Sequence, residues 1–157
     1  MSISGDELQP MLERLEDLLE VIADRLGIEA EVTVEERDGV ITGHVDGGDL
    51  ALFIGRRGQT IDAVQHLAQR ILFKGSHPDV RVVIDADGYR ERRAQALCKE
   101  ADHAAEQALS SGNPVKLDPM PSSERRVVHE YLRERGDVGT HSEGEEPGRF
   151  LVVTPGT

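Results

Sequence analysis

The chain has 157 residues, enough for one medium domain or two small ones, and its longest apolar runs, about five residues, are too short to span a membrane. Its single cysteine, Cys98, excludes an internal disulfide and a cysteine-ligated metal cluster. The first residues contain neither a basic region nor a hydrophobic stretch, so we expect no secretory signal and a cytoplasmic protein.

The negative charge of the chain is unevenly distributed. The formal net charge is −12, which by itself disfavours nucleic acid as a partner. Residues 1–50 hold three basic and 14 acidic residues, residues 51–94 hold eight and five, and residues 95–157 hold seven and 11. Only the middle segment is net positive. A locally basic site on an acidic body can still bind nucleic acid through its geometry, although weakly at high salt.

The first third of the chain predicts a helix followed by a hairpin. Leucines and an isoleucine at helical spacing indicate an amphipathic helix over residues 6–27, and Gly27 is placed to end it. Residues 30–36 alternate in the manner of a strand, and the Asp-Gly pair at 38–39 is a strong turn signal. Residues 40–45 supply the return strand of an antiparallel pair.

The next stretch has the clearest chemical content. A short apolar segment, residues 50–54, leads into a Gly-Arg-Arg-Gly loop at 55–58, and helical spacing of apolar residues follows over 61–72. The glycines allow positive φ and let a sugar-phosphate chain approach the main chain closely. The loop amides would lie at a helix N-terminus, which favours an anion. The arginines project outward, and guanidinium groups suit phosphate oxygens. The alternative is a glycine cap between two helices with ordinary solvated arginines, whereas a P-loop matches poorly because its lysine and longer glycine spacing are missing.

A third strand over residues 80–84 follows a turn at 77–79. The predicted order is therefore helix, strand, strand, helix, Gly-x-x-Gly, helix, strand, which resembles the bacterial (type II) K-homology (KH) fold. The resemblance implies that the loop clamps the backbone of a single nucleic-acid strand, while the bases lie along an adjacent groove. The residues expected at this site are Ile54, Gly55, Arg56, Arg57, Gly58 and Ile61.

The second half opens with a long helix and a break. The helix is predicted over residues 89–109, and residues 110–114 end it with serine, glycine and proline. The first turns of this helix contain three arginines that either extend the basic surface or pair with Glu91. These arginines are Arg90, Arg92 and Arg93.

A further helix is predicted to start after Pro121, and it has two distinct sides. Arg125, His129 and Arg133 recur every four residues, so we expect them on one exposed stripe opposite the apolar side. An arginine and a histidine one turn apart can bind a phosphate together, and the imidazole ring can also stack on a base. Taken alone, such a pair is usually a surface pair without function.

This spacing resembles the R-3-H domain, a single-stranded nucleic-acid-binding module named for its Arg-x-x-x-His motif. Residues 140–149 are similar to the hairpin of bacterial R-3-H domains, and residues 85–93 are similar to the junction between two domains in one family. Together the motifs resemble the Jag family, also called KhpB, over roughly residues 6–155. The residues that the resemblance implies at the second site are Arg125, His129 and Arg149.

The resemblance implies an α+β protein. A type II KH domain over residues 1–87 would be followed by a small α/β R-3-H domain over residues 88–157. It also implies RNA binding, a link to cell elongation and envelope control, and pairing with a small KH-only protein in a heterodimer. Longer family members carry an N-terminal domain and a linker, and from this sequence we expect neither that region nor the roles tied to it.

Our leading hypothesis is a non-catalytic protein, an RNA chaperone or post-transcriptional regulator, that holds single-stranded RNA at both sites without a cofactor or metal. A DNA-binding helix-turn-helix would need base-reading side chains, and the preceding strand pair and the acidic body fit it poorly. The residues available for base reading are Gln59, Gln65, His66, Gln69 and Arg70. A protein-interaction adaptor, in which the acidic first helix or the long helix docks a partner KH subunit, is a further alternative. An enzyme fits least, because the six histidines lie on different elements without metal-binding spacing and no nucleophile motif is present.

Overall fold

The computed structural model describes residues 5–74 and 79–156, and the predicted turn at 77–79 begins outside these ranges. The chain divides into two compact units, Met1–Arg90 and Glu91–Thr157. Within the described ranges, no helix is both long enough and apolar enough to cross a membrane.

The first unit combines helices with a three-stranded sheet. Its elements are α1 (Gly5–Arg25), β1 (Ala30–Arg37), β2 (Val40–Gly47), α2 (Ala51–Ile54), α3 (Gln59–Phe73) and β3 (Arg81–Ala86). The strands lie in the order β1-β2-β3, with β1 antiparallel to β2 and β2 parallel to β3. This is the predicted order of elements, with the Gly-x-x-Gly loop between α2 and α3, so the α+β type II KH prediction is confirmed.

The core of the first unit fixes the helices on either side of the loop. Leu15 and Leu19 of α1 are completely buried, as the helical spacing of leucines predicts. Gly43 of β2 lets this helix approach, because a Cβ atom there would lie 2.5 Å from Leu19 Cδ1. Phe53 of α2 and Ile61 of α3 belong to the same buried cluster. Burial of an aliphatic or phenylalanine side chain contributes about 1.5–3 kcal/mol, so α2 and α3 are held firmly against the rest of the unit.

Two glutamines of α3 satisfy the free edge of β3. The Val82 amide donates to Gln69 Oε1 over 2.9 Å, and the Ile84 amide donates to Gln65 Oε1 over 3.0 Å. Every second residue of an edge strand has an amide without a partner in the sheet, and residues four apart on a helix lie on the same face. Gln65 and Gln69 can therefore both reach the amides of Ile84 and Val82, which are two residues apart on β3. The glutamines are therefore used inside the unit, and the helix-turn-helix alternative loses two of its base-reading side chains.

The second unit is a small helix and sheet assembly. Its elements are α4 (Tyr89–Ser111, which begins at the end of the first unit), β4 (Val115–Lys116), α5 (Ser122–Arg135), β5 (Val138–Glu143) and β6 (Phe150–Pro155). The sheet has the order β4-β6-β5 with antiparallel pairing throughout. Its core joins the small side chains of α4 to larger residues of α5 and β6. This core includes Ala101, Ala104, Ala105, Ala108, Val128, Leu132, Leu151 and Val153. The predicted α/β second domain is confirmed.

Candidate nucleic-acid interface

The Gly-x-x-Gly loop, residues 55–58, is a tight turn between α2 and α3. Three of its residues have positive φ: Gly55 at 73°, Arg57 at 53° and Gly58 at 77°. Glycine adopts such angles without a steric penalty, which is why the motif begins and ends with it. Arg56 and Arg57 are both exposed. The turn therefore presents two adjacent guanidinium groups on a net-acidic protein.

Neighbouring side chains leave no room for a Cβ atom at either glycine of the loop. A Cβ atom at Gly55 would overlap the side chain of Thr60, and one at Gly58 would lie 2.7 Å from Tyr89 Oη. Tyr89 is half-buried against the core of the first unit, so its ring has little room to withdraw. Neither supporting side chain was predicted from the sequence. The position of Tyr89 just after β3 is the signal that could have suggested one of them.

The prediction that the loop amides favour an anion is wrong for the two glycines. The Gly55 amide donates to the Ala51 carbonyl over 2.8 Å and ends α2, and the Gly58 amide donates to the Gly55 carbonyl over 3.3 Å. Gly58 is itself buried. These two donors close the turn, so neither is available to an anion at the loop.

The two isoleucines predicted beside the bound bases differ in exposure. Ile54 is half-buried and keeps part of its surface accessible at the end of α2. Ile61 is completely buried. The predicted contact between Ile61 and a base is therefore wrong, because helical spacing turns this residue into the core, where it supports the loop from below.

The arginines at the start of α4 hold structural contacts that the charge pattern did not reveal. Arg90 donates through Nη1 to Asp62 over 2.8 Å, through Nη2 to Gln65 over 3.0 Å and through Nε to the Ile84 carbonyl over 2.9 Å. It thus ties α3 and β3 together within the first unit. Arg93 donates to both carboxylate oxygens of Glu124 over 2.8 and 2.9 Å within the second unit. The predicted extension of the basic surface is therefore wrong for these two residues, and neither partner is the predicted Glu91.

Arg125 and His129 lie one turn apart on α5 but in different surroundings. His129 is exposed, as expected. Arg125 is only 8% exposed, and its Nη2 donates to Glu146 Oε1 over 2.6 Å. The prediction of one exposed stripe is therefore wrong for Arg125, because the loop between β5 and β6 supplies Glu146 as a partner at the first turn of α5.

The β5–β6 hairpin positions the remaining residues of this second site. Nδ1 of His129 is hydrogen-bonded to Thr140 Oγ1 on β5, which fixes the ring and leaves Nε2 as its other polar atom. Arg149 is half-buried, and its carbonyl accepts the Met120 amide over 3.2 Å just before α5 begins. The structure therefore places the side chains of Arg125 and His129 against the β5–β6 hairpin, and it joins the main chain of Arg149 to Met120. Thr140 was missed because its role depends on strand register.

A network of hydrogen bonds between partly exposed side chains holds the far end of α5. The Tyr131 hydroxyl donates to Asp102 Oδ2 over 2.8 Å, and this hydrogen bond raises the pKa of the tyrosine above its usual value. Arg135 donates to Asp137 and to Asp102, which raises the pKa of its guanidinium in turn. Burial, and then the nearby Asp102 charge, raises the pKa of the Cys98 thiol, which favours a packing role over a reactive one.

Comparison with known protein families agrees with this arrangement. Residues 13–84 match the KH domain family of the KhpA/KhpB type, and residues 95–155 match the R-3-H domain family. The chain is therefore a two-domain protein with a KH domain followed by an R-3-H domain.

Three curated relatives align with this chain over a length that includes both domains. Each is named RNA-binding protein KhpB. The protein of Lactiplantibacillus plantarum is 39% identical over 137 residues, which is 87% of this chain and 42% of the relative. Those of Bacillus subtilis and Clostridium symbiosum are 36% and 34% identical over 87% and 88% of this chain, and 66% and 63% of the relatives. The chain belongs to the KhpB family, and it spans 42–66% of the length of these relatives.

Proposed function

We propose that this protein is a non-catalytic RNA-binding protein that holds single-stranded RNA at two sites. The first site is the Gly-x-x-Gly loop, where Arg56 and Arg57 contact backbone phosphates and Ile54 lies beside the bases. The second site is Arg125, His129 and Arg149 around α5. The proposed domains are residues 1–87 and 88–157.

One observation carries this proposal above the others. Two adjacent arginines are exposed on a turn whose shape is set by two positive-φ glycines, each closely packed against a neighbouring side chain. A pre-formed turn loses little conformational freedom when it binds, so more of the interaction with phosphate remains as affinity. Two such sites on one chain also raise the overall affinity for a strand that reaches both.

The finer functions follow from the family rather than from the geometry. The names of the relatives support RNA as the ligand, and the KhpA/KhpB type of the KH domain supports pairing with a small KH-only protein. We include in the proposal a cytoplasmic location, a role as an RNA chaperone or post-transcriptional regulator, and a link to cell elongation and envelope control. A DNA-binding helix-turn-helix is disfavoured, because Gln65 and Gln69 already pair with β3.

A competition assay tests this function. We expect a labelled short single-stranded RNA bound to the full chain to be displaced by the same unlabelled RNA, whereas duplex DNA of equal length needs at least a roughly tenfold higher concentration. If all four arginines of the two sites neutralise phosphates, log affinity should fall with log salt with a slope of about −3. Equal competition by duplex DNA would favour the DNA alternative. A chain that binds no RNA at low salt but copurifies with a protein would favour the adaptor.

A further inference from the structure

The ion pair between Arg125 and Glu146 is incomplete on the arginine side. A guanidinium group and a carboxylate commonly form two parallel hydrogen bonds. Here the short contact joins Nη2 to a single oxygen, Oε1, over 2.6 Å. Nη1 of the same residue is buried and has no hydrogen-bond partner in the part of the chain that the structure describes. A buried charged donor left unpaired is unfavourable, so the guanidinium retains capacity for another acceptor.

The two partners differ sharply in their surroundings. The Arg125 side chain is 10% exposed, whereas the Glu146 side chain is 55% exposed on the loop between β5 and β6. Displacement of the glutamate would return its carboxylate to water easily, whereas displacement of the arginine would disrupt packing at the start of α5. The glutamate is therefore the partner that can leave.

A second arginine at the same end of α5 has a similar unmet donor. Nε of Arg149 is buried without a hydrogen-bond partner among the described residues. The main chain of Arg149 is joined to Met120, two residues before α5 begins, by the hydrogen bond described above. An acceptor with several oxygens would suit this end of the helix better than one carboxylate does.

We propose that Glu146 occupies the position of an RNA phosphate on Arg125 and is displaced by that phosphate when RNA binds. This inference rests on the proposed function of the second site. The two non-bridging oxygens of a backbone phosphate can accept from Nη1 and Nη2 together, so the exchange replaces one hydrogen bond by two. A free phosphate must compete with the tethered glutamate alone. An RNA strand gains a further contact with His129 through a neighbouring nucleotide, so Glu146 makes the site selective for the polymer.

Three variants of the full chain test this inference by their affinity for one short single-stranded RNA. Glu146→Gln removes the competing charge, and Glu146→Asp keeps the charge but shortens its reach. Glu145→Gln is the matched control, because it removes an identical charge from the adjacent exposed position. We expect both Glu146 variants to bind about tenfold more tightly than the unmodified chain. The control should gain no more than about twofold from the weaker general repulsion.

The outcomes separate this inference from the function on which it rests. If all the proteins bind RNA but neither Glu146 variant exceeds the control, Glu146 is not a competitor and the inference is overturned while RNA binding stands. Weaker binding by the Glu146 variants would show that the glutamate positions Arg125 for the ligand, which also overturns it. If no protein binds RNA, both proposals fail. Melting curves identify any variant that does not fold, and Glu146→Asp then decides the question.

Discussion

Replacement of Arg56 and Arg57 together by aspartate should weaken the binding of a short single-stranded RNA by at least about a hundredfold at low salt. Each arginine would lose a charge-assisted contact with a phosphate, and each aspartate would add repulsion. The melting temperature should remain nearly unchanged, because both side chains are exposed on the turn. Fluorescence anisotropy of a labelled RNA measures the affinity, and circular dichroism measures the melting temperature.

A second double variant controls for the change in total charge. Arg37 and Arg81 are exposed, and both pair with Val40 at one end of the sheet. The chain leaves β2 and β3 at the opposite end of the sheet, on its way to α2 and to Tyr89 beside the loop. Arg37→Asp with Arg81→Asp changes the net charge equally and should reduce affinity only a few-fold at moderate salt. Similar losses in the two double variants would remove the loop from the mechanism and leave only general electrostatics.

The Gly58→Ala substitution should destabilise the first unit by roughly 2–4 kcal/mol. Part of this loss comes from placing an L-residue at φ 77°, and part from the new Cβ atom 2.7 Å from Tyr89 Oη. Urea denaturation followed by circular dichroism measures the change in the free energy of unfolding. RNA affinity should fall as well, because the turn that presents the arginines would be distorted.

The chain offers a matched control for this substitution. Gly48 is exposed, has no neighbouring atom within 4 Å of a built Cβ and does not have positive φ, so Gly48→Ala should leave stability almost unchanged. Adding Tyr89→Ala to Gly58→Ala should relieve the collision but not the backbone strain. The double variant should therefore lose less free energy of unfolding than the sum of the losses of the two single variants. If Gly58→Ala behaves like Gly48→Ala, neither the angle nor the tyrosine contact constrains the loop.

Local patterns were sufficient to predict most of the elements. The leucine spacing of α1, the Asp-Gly turn of the first hairpin and the glycines of the loop depend on residues close together in sequence, and each appears in the structure. The order of elements then led to the correct α+β fold. The turn at 77–79 is the part of this prediction that begins outside the described residues.

The details of the candidate sites depended on contacts between distant segments. Arg125 carries the same helical spacing whether or not a loop 21 residues later supplies Glu146, so its burial could not be predicted from α5 alone. The same applies to Arg90, whose Asp62 partner is 28 residues earlier. Ile61 is different, because its place on the apolar face of α3 already indicates burial, whereas the resemblance alone implies a position beside the bases.

The most direct test of whether the loop and α5 contact RNA is a chemical-shift titration. The isotopically labelled full chain would be titrated with a short single-stranded RNA, and the shifts of backbone amides, guanidinium groups and imidazole rings would be followed. We expect the largest changes at Arg56 and Arg57 of the first site. At the second site we expect them at the imidazole ring of His129 and at the backbone amide of its neighbour Thr140. Binding of the RNA with shifts confined to other surfaces, such as the acidic helix α1, would contradict both proposed sites.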